Sequence, residues 1–379
     1  MAGSAAAFLR PLSPSIKKRS IDLHSNITLI TSPKCWMEHT ALTQLEATAS
    51  LPGVIRAVGL PDLHAGRSPI GVAVQTRGVL YPHLIGGDVG CGMSLFETPI
   101  LLRKYKQDKL VSRLNHIRAL EDLPAESPWE EPCPIPDLGT LGGGNHFAEF
   151  QRVDTILDNE AFGSLSIDPA RVLLLVHSGS RRYGQQIFAR YADAAGLVPG
   201  TEKAADYRRE HENARLWAGR NRQAAAAKLI DWLGYGAPPR LVLDVCHNYL
   251  EEQEDGVFLH RKGAVSAVNG PVILPGSRGT RSYLVLPAAD TALSAGSLSH
   301  GAGRKWARSL CKGRIRDKYD RDSLRQNPFG GRVVCHDGEL LLQEAPEAYK
   351  NIEHVLEALT SHGLCTVIAT LRPLITYKG

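Results

Sequence analysis

The sequence predicts an α/β protein, on three observations. Two short, branched, apolar runs, RVLLLV at 171–176 and LVLDVC at 241–246, have the length and composition of buried strands. Between them, residues 201–232 form a proline-free stretch rich in Ala, Glu, Arg and Lys, the composition of a long helix. The 36 glycines and 23 prolines, set against 6% aromatic residues, require many turns and special backbone positions between such elements.

The elements follow in order. Residues 26–60 alternate apolar runs (27–30 and 54–58) with a helical stretch near 38–49. Residues 85–96, IGGDVGCGMSLF, make a glycine-rich loop that enters a short apolar run. Residues 123–137 hold five prolines and read as a loop or linker. Within 201–232, Arg208, Arg209, Arg215, Arg220 and Arg222 form either a basic face that tracks phosphates or an ordinary solvated helix. Residues 304–325 are a second basic stretch, and 364–378 carry two apolar runs, LCTVIAT and PLITY, separated by Leu371 and Arg372. No repeat period and no low-complexity segment appears.

The bulk properties narrow the class. The 379 residues suffice for one large domain or two ordinary ones, and 43% hydrophobic residues can build a sizeable core. A net charge of +5 and a pI near 8.8 permit an anionic substrate. Seven cysteines, odd in number and without a C-x-x-C pair, argue for a reducing cytosol rather than a disulfide framework. The apolar patch in MAGSAAAFLRPLSPSIKKRS is interrupted too soon for a signal peptide, and no window reaches the ~18 apolar residues of a membrane span. A cytoplasmic protein with no membrane association is expected.

Asp88 and Cys91 stand three residues apart on the glycine-rich loop, where a carboxylate and a thiolate suit a divalent transition ion. A plain turn with an inert buried thiol fits that stretch equally well. His146 follows three glycines and Asn145, while His177 and His247 each follow an apolar strand. A strand end fixes a ligand rigidly beside an accessible loop. Each histidine taken alone is compatible with a structural role. Together with Asp88 and Cys91 they form a ligand set for Mn²⁺, Zn²⁺ or Fe²⁺. Five ligands exceed one tetrahedral ion, which points to two metals sharing Cys91. His300 differs: it precedes Gly301-Ala302-Gly303 and a basic stretch expected to be helical, a turn suited to phosphate. A second small-residue loop, LPGSRGTRS at 274–282, adds phosphate donors, while the three glycines before Asn145 lack the G-x-G-x-x-G spacing.

In order, DVGCGM, LGTLGGGNHFAEF, VHSGSR, a His-Asn pair after a strand, PGSRGT, HGAGR and Lys378-Gly379 closely resemble the RtcB family of RNA-splicing and RNA-repair ligases. The resemblance runs from about residue 55 to the last residue. It implies an RtcB-like α/β fold, with mixed sheets and helices around a deep central catalytic cleft. The chain would be a single catalytic domain over 1–379, with a helical insertion near 201–233. The implied activity is that of a 3′-phosphate/5′-hydroxyl nucleic acid ligase acting in tRNA splicing or RNA repair. It joins RNA 2′,3′-cyclic phosphate or 3′-phosphate ends to 5′-hydroxyl ends with GTP and two Mn²⁺ ions. Asp88, Cys91, His146, His177 and His247 match the Mn²⁺ ligands, and His300 the histidine that carries GMP. Asn145, His146, Phe147, Ala148, Glu149, His247, Asn248, Pro275, Gly276, Ser277, Arg278, Ser282, His300, Gly301, Ala302, Gly303 and Lys378 match the nucleotide contacts. Glu149 can accept from the guanine N1–H and N2–H₂ edge, which adenine lacks. Transfer RNA or ribosomal RNA is the expected partner, with an archease-like helper.

The wording departs from the family at PDLHAGRSPIGVAV (61–74), at Arg278, and at Arg182-Tyr183, where substrate ends or nucleotide would be met. It is closer to a divergent bacterial branch associated with release-factor-like proteins that act on damaged ribosomes. Two other readings compete. A dinuclear metallo-hydrolase of cyclic phosphate ends would have no use for Glu149, Lys378 or a nucleophilic His300. An inactive RNA- or ribosome-binding factor would show damaged ligands, and here all are present.

Overall fold

The computed structural model describes residues 25–123, 138–316, 318–320 and 322–379. The proline-rich stretch after Leu123 and the N-terminal segment read for a targeting signal lie outside the described residues.

In chain order, β1 (Ile27–Leu29) and α1 (His39–Ala49) precede β2 (Val54–His64) and β3 (Ile70–Arg77). A one-turn helix α2 (Pro82–Ile85) leads to β4 (Gly92–Leu101), α3 (Gln107–Leu114), β5 (Phe147–Ile156), α4 (Asn159–Ser164) and β6 (Arg171–Ser178). Helices α5 (Arg181–Tyr191) and α6 (Glu202–Trp232) follow. Next come β7 (Arg240–Cys246), β8 (Asn248–Glu252), β9 (Val257–Lys262), β10 (Ala264–Ser266), β11 (Val272–Leu274), β12 (Ser282–Pro287) and β13 (Ser297–Ser299). The last elements are α7 (Arg308–Ile315), β14 (Arg332–Cys335), α8 (Gly338–Gln343), α9 (Ile352–Ser361) and β15 (Cys365–Lys378). The larger sheet runs β11-β12-β15-β5-β6-β4-β7 with β14 beside β15; a second runs β1-β2-β3-β9-β8, and β10 pairs with β13. This mixed α/β arrangement is the class that the sequence predicts.

The apolar run of β6 is explained by its central place. Val172, Leu174 and Val176 enter one core, while Leu173 and Leu175 enter another on the opposite face. Both faces are covered, so the period-two alternation of a half-exposed strand disappears. All five side chains have zero exposure, each worth about 1.5–3 kcal/mol, and a charge at Leu174 would break the register. The first face is covered by α6 through Ala225, Ala226, Leu229 and Ile230. The α6 N-terminus is capped by Thr201, whose hydroxyl accepts from the Ala204 amide at 3.3 Å.

Three expectations change. The run at 241–246 is a strand, but β7 is the sheet edge and pairs only with β4, so Leu241 remains 39% exposed. The two C-terminal runs are one strand, β15, continuous through Pro373 because the register against β5 shifts there. The basic stretch after His300 does not open as a helix at Gly301-Ala302-Gly303; α7 begins at Arg308. The amides of Lys305 and Trp306 both donate to the Ala348 carbonyl, which holds that stretch extended. All described cysteines are free. No helix of the described residues is long and apolar enough to cross a membrane.

Candidate active site

The order β5-β6-β4-β7 brings four chemical groups to one end of the sheet. Gly90, with φ of +69°, is pressed against α6, where an added Cβ would lie 2.8 Å from the Arg215 Cα. The glycine-rich loop is thereby fixed, and Cys91 leaves it one residue before β4. Gly92 pairs with Ser178 of β6 and with Cys246 of β7, which sets Cys91 between His177 and His247. The His247 amide donates to the Cys91 carbonyl at 2.8 Å. Phe147 of β5 pairs with His177, which brings His146 to the same end.

Side-chain geometry converges on the thiol. Cys91 Sγ lies 3.3 Å from His146 Nε2 and 3.2 Å from His177 Nε2. Asp88 Oδ2 lies 3.0 Å from His146 Nε2. The potential donor atoms of Cys91, His177 and His247 lie within 4.8 Å of one another, as do those of Asp88, Cys91 and His146. Cys91 alone belongs to both groups. His146 Nδ1 donates to the Leu141 carbonyl at 2.9 Å and His177 Nδ1 to the Asn145 carbonyl at 3.1 Å, leaving both Nε2 lone pairs aimed at the thiol. His247 Nδ1 is buried without a hydrogen-bond partner.

The electrostatics suit a cation. Burial, reinforced by neighbouring histidines, pushes His177 and His247 well below the ordinary imidazole value, so both are neutral. Burial alone would raise the Asp88 carboxyl, but His146 beside it outweighs this and brings it to about 2. Burial and Asp88 raise the Cys91 thiol well above its usual value. A bound cation reverses that sign, because a coordinating thiol is deprotonated. The orphaned His247 nitrogen, the neutral imidazoles and the shared thiol therefore fit a transition-metal pair.

His300 follows β13 and faces this cluster, its ring centroid 4.8 Å from that of His247. Asp62, with zero exposure, binds it twice: Asp62 Oδ2 accepts from His300 Nδ1 at 2.6 Å and from the His300 amide at 3.1 Å. Burial would raise the Asp62 carboxyl, yet the His300 contacts leave it lowered, hence ionised. Asp62 thus holds the Nδ1 proton, and Nε2 is the ring nitrogen that this contact leaves free. Asp62 is absent from the site residues read from the sequence. Asp62 falls in the 61–74 stretch, two residues before His64, and that placement was the available signal.

A cleft of about 640 Å³ runs from these groups to the C-terminal strand. Asn145, Phe147, Glu149, Asn248, the 275–278 loop, His300 to Gly303 and Lys378 line it. Glu149 accepts from Gln151 Nε2 at 2.7 Å and from the Thr376 hydroxyl, and burial pushes its carboxyl up to about 7. Lys378 Nζ donates to the His146 carbonyl at 3.0 Å, near the Phe147 ring. Two expected nucleotide contacts stand back: Ala148 turns into the core, and Ser282 reaches Glu149 only through Gln151, which it meets at 2.9 Å. Arg278 lines the cleft, but its guanidinium is engaged by backbone, donating to the carbonyls of Leu341 and Leu324 at 3.1 and 3.2 Å. Lys262 was not foreseen. It is a cleft residue whose ammonium donates to Ser68 Oγ at 2.6 Å, and burial lowers it to about 8.

The first basic stretch is largely self-neutralised. Arg209 pairs with Asp206, Arg215 with Glu212, and Arg208 with Glu252. Arg222 is fully buried behind the cluster, donating to the Gly90 and Ser178 carbonyls at 2.8 and 2.9 Å and to Asp244 at 2.8 and 3.0 Å. In the second stretch Arg304 and Arg308 both pair with buried Glu344.

The sequence matches the family model described as tRNA-splicing ligase RtcB over residues 44–128 and 119–379. It is 43% identical to the RNA-splicing ligase RtcB2 of Escherichia coli, with 98% of each chain covered. It is 28% identical to the tRNA-splicing ligase RtcB of Archaeoglobus fulgidus, covering 90% of this chain and 92% of that one. It is also 28% identical to the RNA-splicing ligase RtcB of Escherichia coli K12, covering 90% of this chain and 95% of that one.

Proposed function

Because the chain belongs to the tRNA-splicing ligase RtcB family, we propose that it is an RNA ligase that joins 2′,3′-cyclic phosphate or 3′-phosphate ends to 5′-hydroxyl ends with GTP. One observation carries this reading. Two donor groups share Cys91, and beside them stands a histidine whose Nδ1 is locked by a buried aspartate. A metallo-hydrolase would need the donor groups alone. Cleft residues run from Glu38 to Lys378, which supports a single catalytic unit over the whole chain.

Asp88, Cys91, His146, His177 and His247 would hold two Mn²⁺ ions. When bound, such ions neutralise phosphate charge and polarise phosphorus. Asp62 keeps the proton on His300 Nδ1, and His300 Nε2 attacks the α-phosphorus in line. The new N–P bond replaces the bond to pyrophosphate, which leaves. The RNA 3′-phosphate, produced from a cyclic end by water, takes GMP from His300. The 5′-hydroxyl then attacks that activated phosphate and expels GMP. Glu149 accepts from the guanine edge, with Phe147 and Lys378 bordering it. Lys262 has no carboxylate within ion-pair distance among the described residues, and in this reading it receives a phosphate of the RNA end.

The test uses GTP labelled at the α-phosphate, Mn²⁺ and no RNA. A 1:1 adduct should form with release of pyrophosphate, labile in acid and stable in base, as a phosphoramidate is. His300→Ala should abolish the adduct and keep most of the metal. No adduct in the parent protein, with cyclic ends still opened, would replace the ligase by a hydrolase.

A further inference from the structure

We propose that Lys350 is a positioning residue for His300, clamping the bulged end of β2 that carries Asp62. The inference rests on the reading of His300 as nucleophile. Strands β2 and β3 pair in one register from Arg56↔Gln75 to Gly59↔Val72 and resume at His64↔Ile70. Between those pairs, residues 60–63 of β2 face the single residue Gly71, so this stretch leaves the ladder. Such bulges re-aim a side chain and are over-represented next to active sites. Here the bulge turns Asp62 inward, to full burial, onto His300.

Carbonyls released from a ladder and buried must find donors. Lys350 Nζ supplies them on either side of Asp62, donating to the Pro61 carbonyl at 3.0 Å and the Leu63 carbonyl at 2.6 Å. The Asp62 carbonyl accepts from His64 Nδ1 at 2.8 Å. Cys35 Sγ adds a weaker donor to Pro61, at 3.0 Å. Lys350 is only 8% exposed and has no carboxylate within ion-pair distance among the described residues, so its charge is committed to these two carbonyls. Charge-assisted bonds of this kind are the short, strong ones.

The same residue holds the other half of the pair. The Lys350 amide donates to the Gly303 carbonyl at 3.0 Å, which ties down the turn that begins at His300. Gly303, with φ of +69°, packs so closely that an added Cβ would lie 2.3 Å from the Asp62 carbonyl oxygen. Bulge, turn and clamp therefore meet at one residue, which acts on His300 only through Asp62 and the turn. Misplacing a reacting group by about 1 Å can cost on the order of 10²-fold in rate.

The experiment compares the parent protein with Lys350→Met and Lys350→Gln. Three quantities are measured: the single-turnover rate of adduct formation with GTP and Mn²⁺, the joining of RNA whose 3′-end already carries GMP, and bound metal per chain. Lys350→Met should slow adduct formation about 10²-fold. Lys350→Gln, which keeps N–H donors on a shorter side chain, should fall between it and the parent. Both should join pre-activated RNA at the parent rate with unchanged metal, because that step does not use the nucleophile. If Lys350→Met proves insoluble, the same split in Lys350→Gln decides. Adduct formation at the parent rate, or a loss shared equally by both reactions, overturns the clamp. Absence of adduct in the parent protein overturns the nucleophile reading itself, and the clamp with it.

Discussion

Arg222 offers the sharpest test of how the cluster is held. Its guanidinium is fully buried and serves six acceptor atoms: Ser94 Oγ, both Asp244 oxygens, the carbonyls of Gly90 and Ser178, and, at 3.7 Å, Cys246 Sγ. Each backbone contact adjoins a proposed ligand. Gly90 precedes Cys91, Ser178 follows His177, and Asp244 lies on the strand that ends one residue before His247. Arg222→Leu would leave Asp244, whose side chain is 27% exposed, without its cation; breaking a buried pair this way costs about 3–5 kcal/mol. Two carbonyls would also lose their donors, and the sum approaches a typical whole-protein stability of about 5–15 kcal/mol. Arg222→Lys is therefore the usable variant. It keeps the charge but has three donors on one atom in place of a five-donor fork, so at least two bonds are lost, about 2–3 kcal/mol. The urea midpoint should fall by roughly 1 M with the slope unchanged, and metal affinity should fall about 10–100-fold. The measurements are equilibrium urea unfolding and metal per chain after dialysis against graded Mn²⁺. A lowered midpoint with unchanged metal affinity would refute the link to the site; an unchanged midpoint would refute the energetic argument.

Other outcomes follow from the same geometry. Cys91→Ala should lower metal content in both donor groups together, because each contains Cys91, and Cys91→Ser should rescue poorly since a hydroxyl stays protonated; loss confined to half of the bound metal would contradict the shared ligand. Glu149→Ala should shrink discrimination between GTP and ATP by ~1–3 kcal/mol, and equal use of both by the parent would remove Glu149 from guanine recognition. Burial holds the Glu149 carboxyl near 7, with Lys378 and Arg278 the cations facing it, and only the carboxylate accepts from guanine N–H groups. The KM for GTP should therefore fall as pH rises from about 6 to 7.5, and this slope should vanish in Glu149→Gln. Asp62→Asn should slow adduct formation by on the order of 10²-fold or more while leaving metal content unchanged; a parent-like rate would mean that Nδ1 needs no carboxylate.

The sequence made legible what is spelled locally. Strand β6 is a contiguous apolar run because both its faces are covered, and the ligands stand at strand ends that composition already marks. The pairing of Asp206 with Arg209 and of Glu212 with Arg215 was equally readable at i, i+3 spacing, and it removes two of the five arginines from the basic face. What composition does not encode is the number of neighbours a strand will have. Strand β7 reads like β6 yet lies at the edge. Nor does it encode capture of a backbone by a distant segment. Residues 304–307 look helical, but Ala348 takes the amides of Lys305 and Trp306 and delays α7.

The residues whose roles escaped the sequence reading share one physical trait. Asp62 meets a residue 238 positions away, Lys350 meets carbonyls 287 and 289 positions away, and Arg222 meets one 132 positions away. Only Asp62, two residues before His64, leaves a local trace, and each serves the backbone or side chain of another segment. Two of the three are buried cations whose acceptors include backbone carbonyls: the Gly90–Cys91 and Ser178 turns for Arg222, the Asp62 bulge for Lys350. Such carbonyls arise where a strand ends or leaves its ladder, and those are the places where this fold puts its ligands and its nucleophile. A ligand substitution should therefore change which chemistry is possible. A substitution at these cations should change how fast the same chemistry runs, because the reacting atoms remain and only their placement is lost.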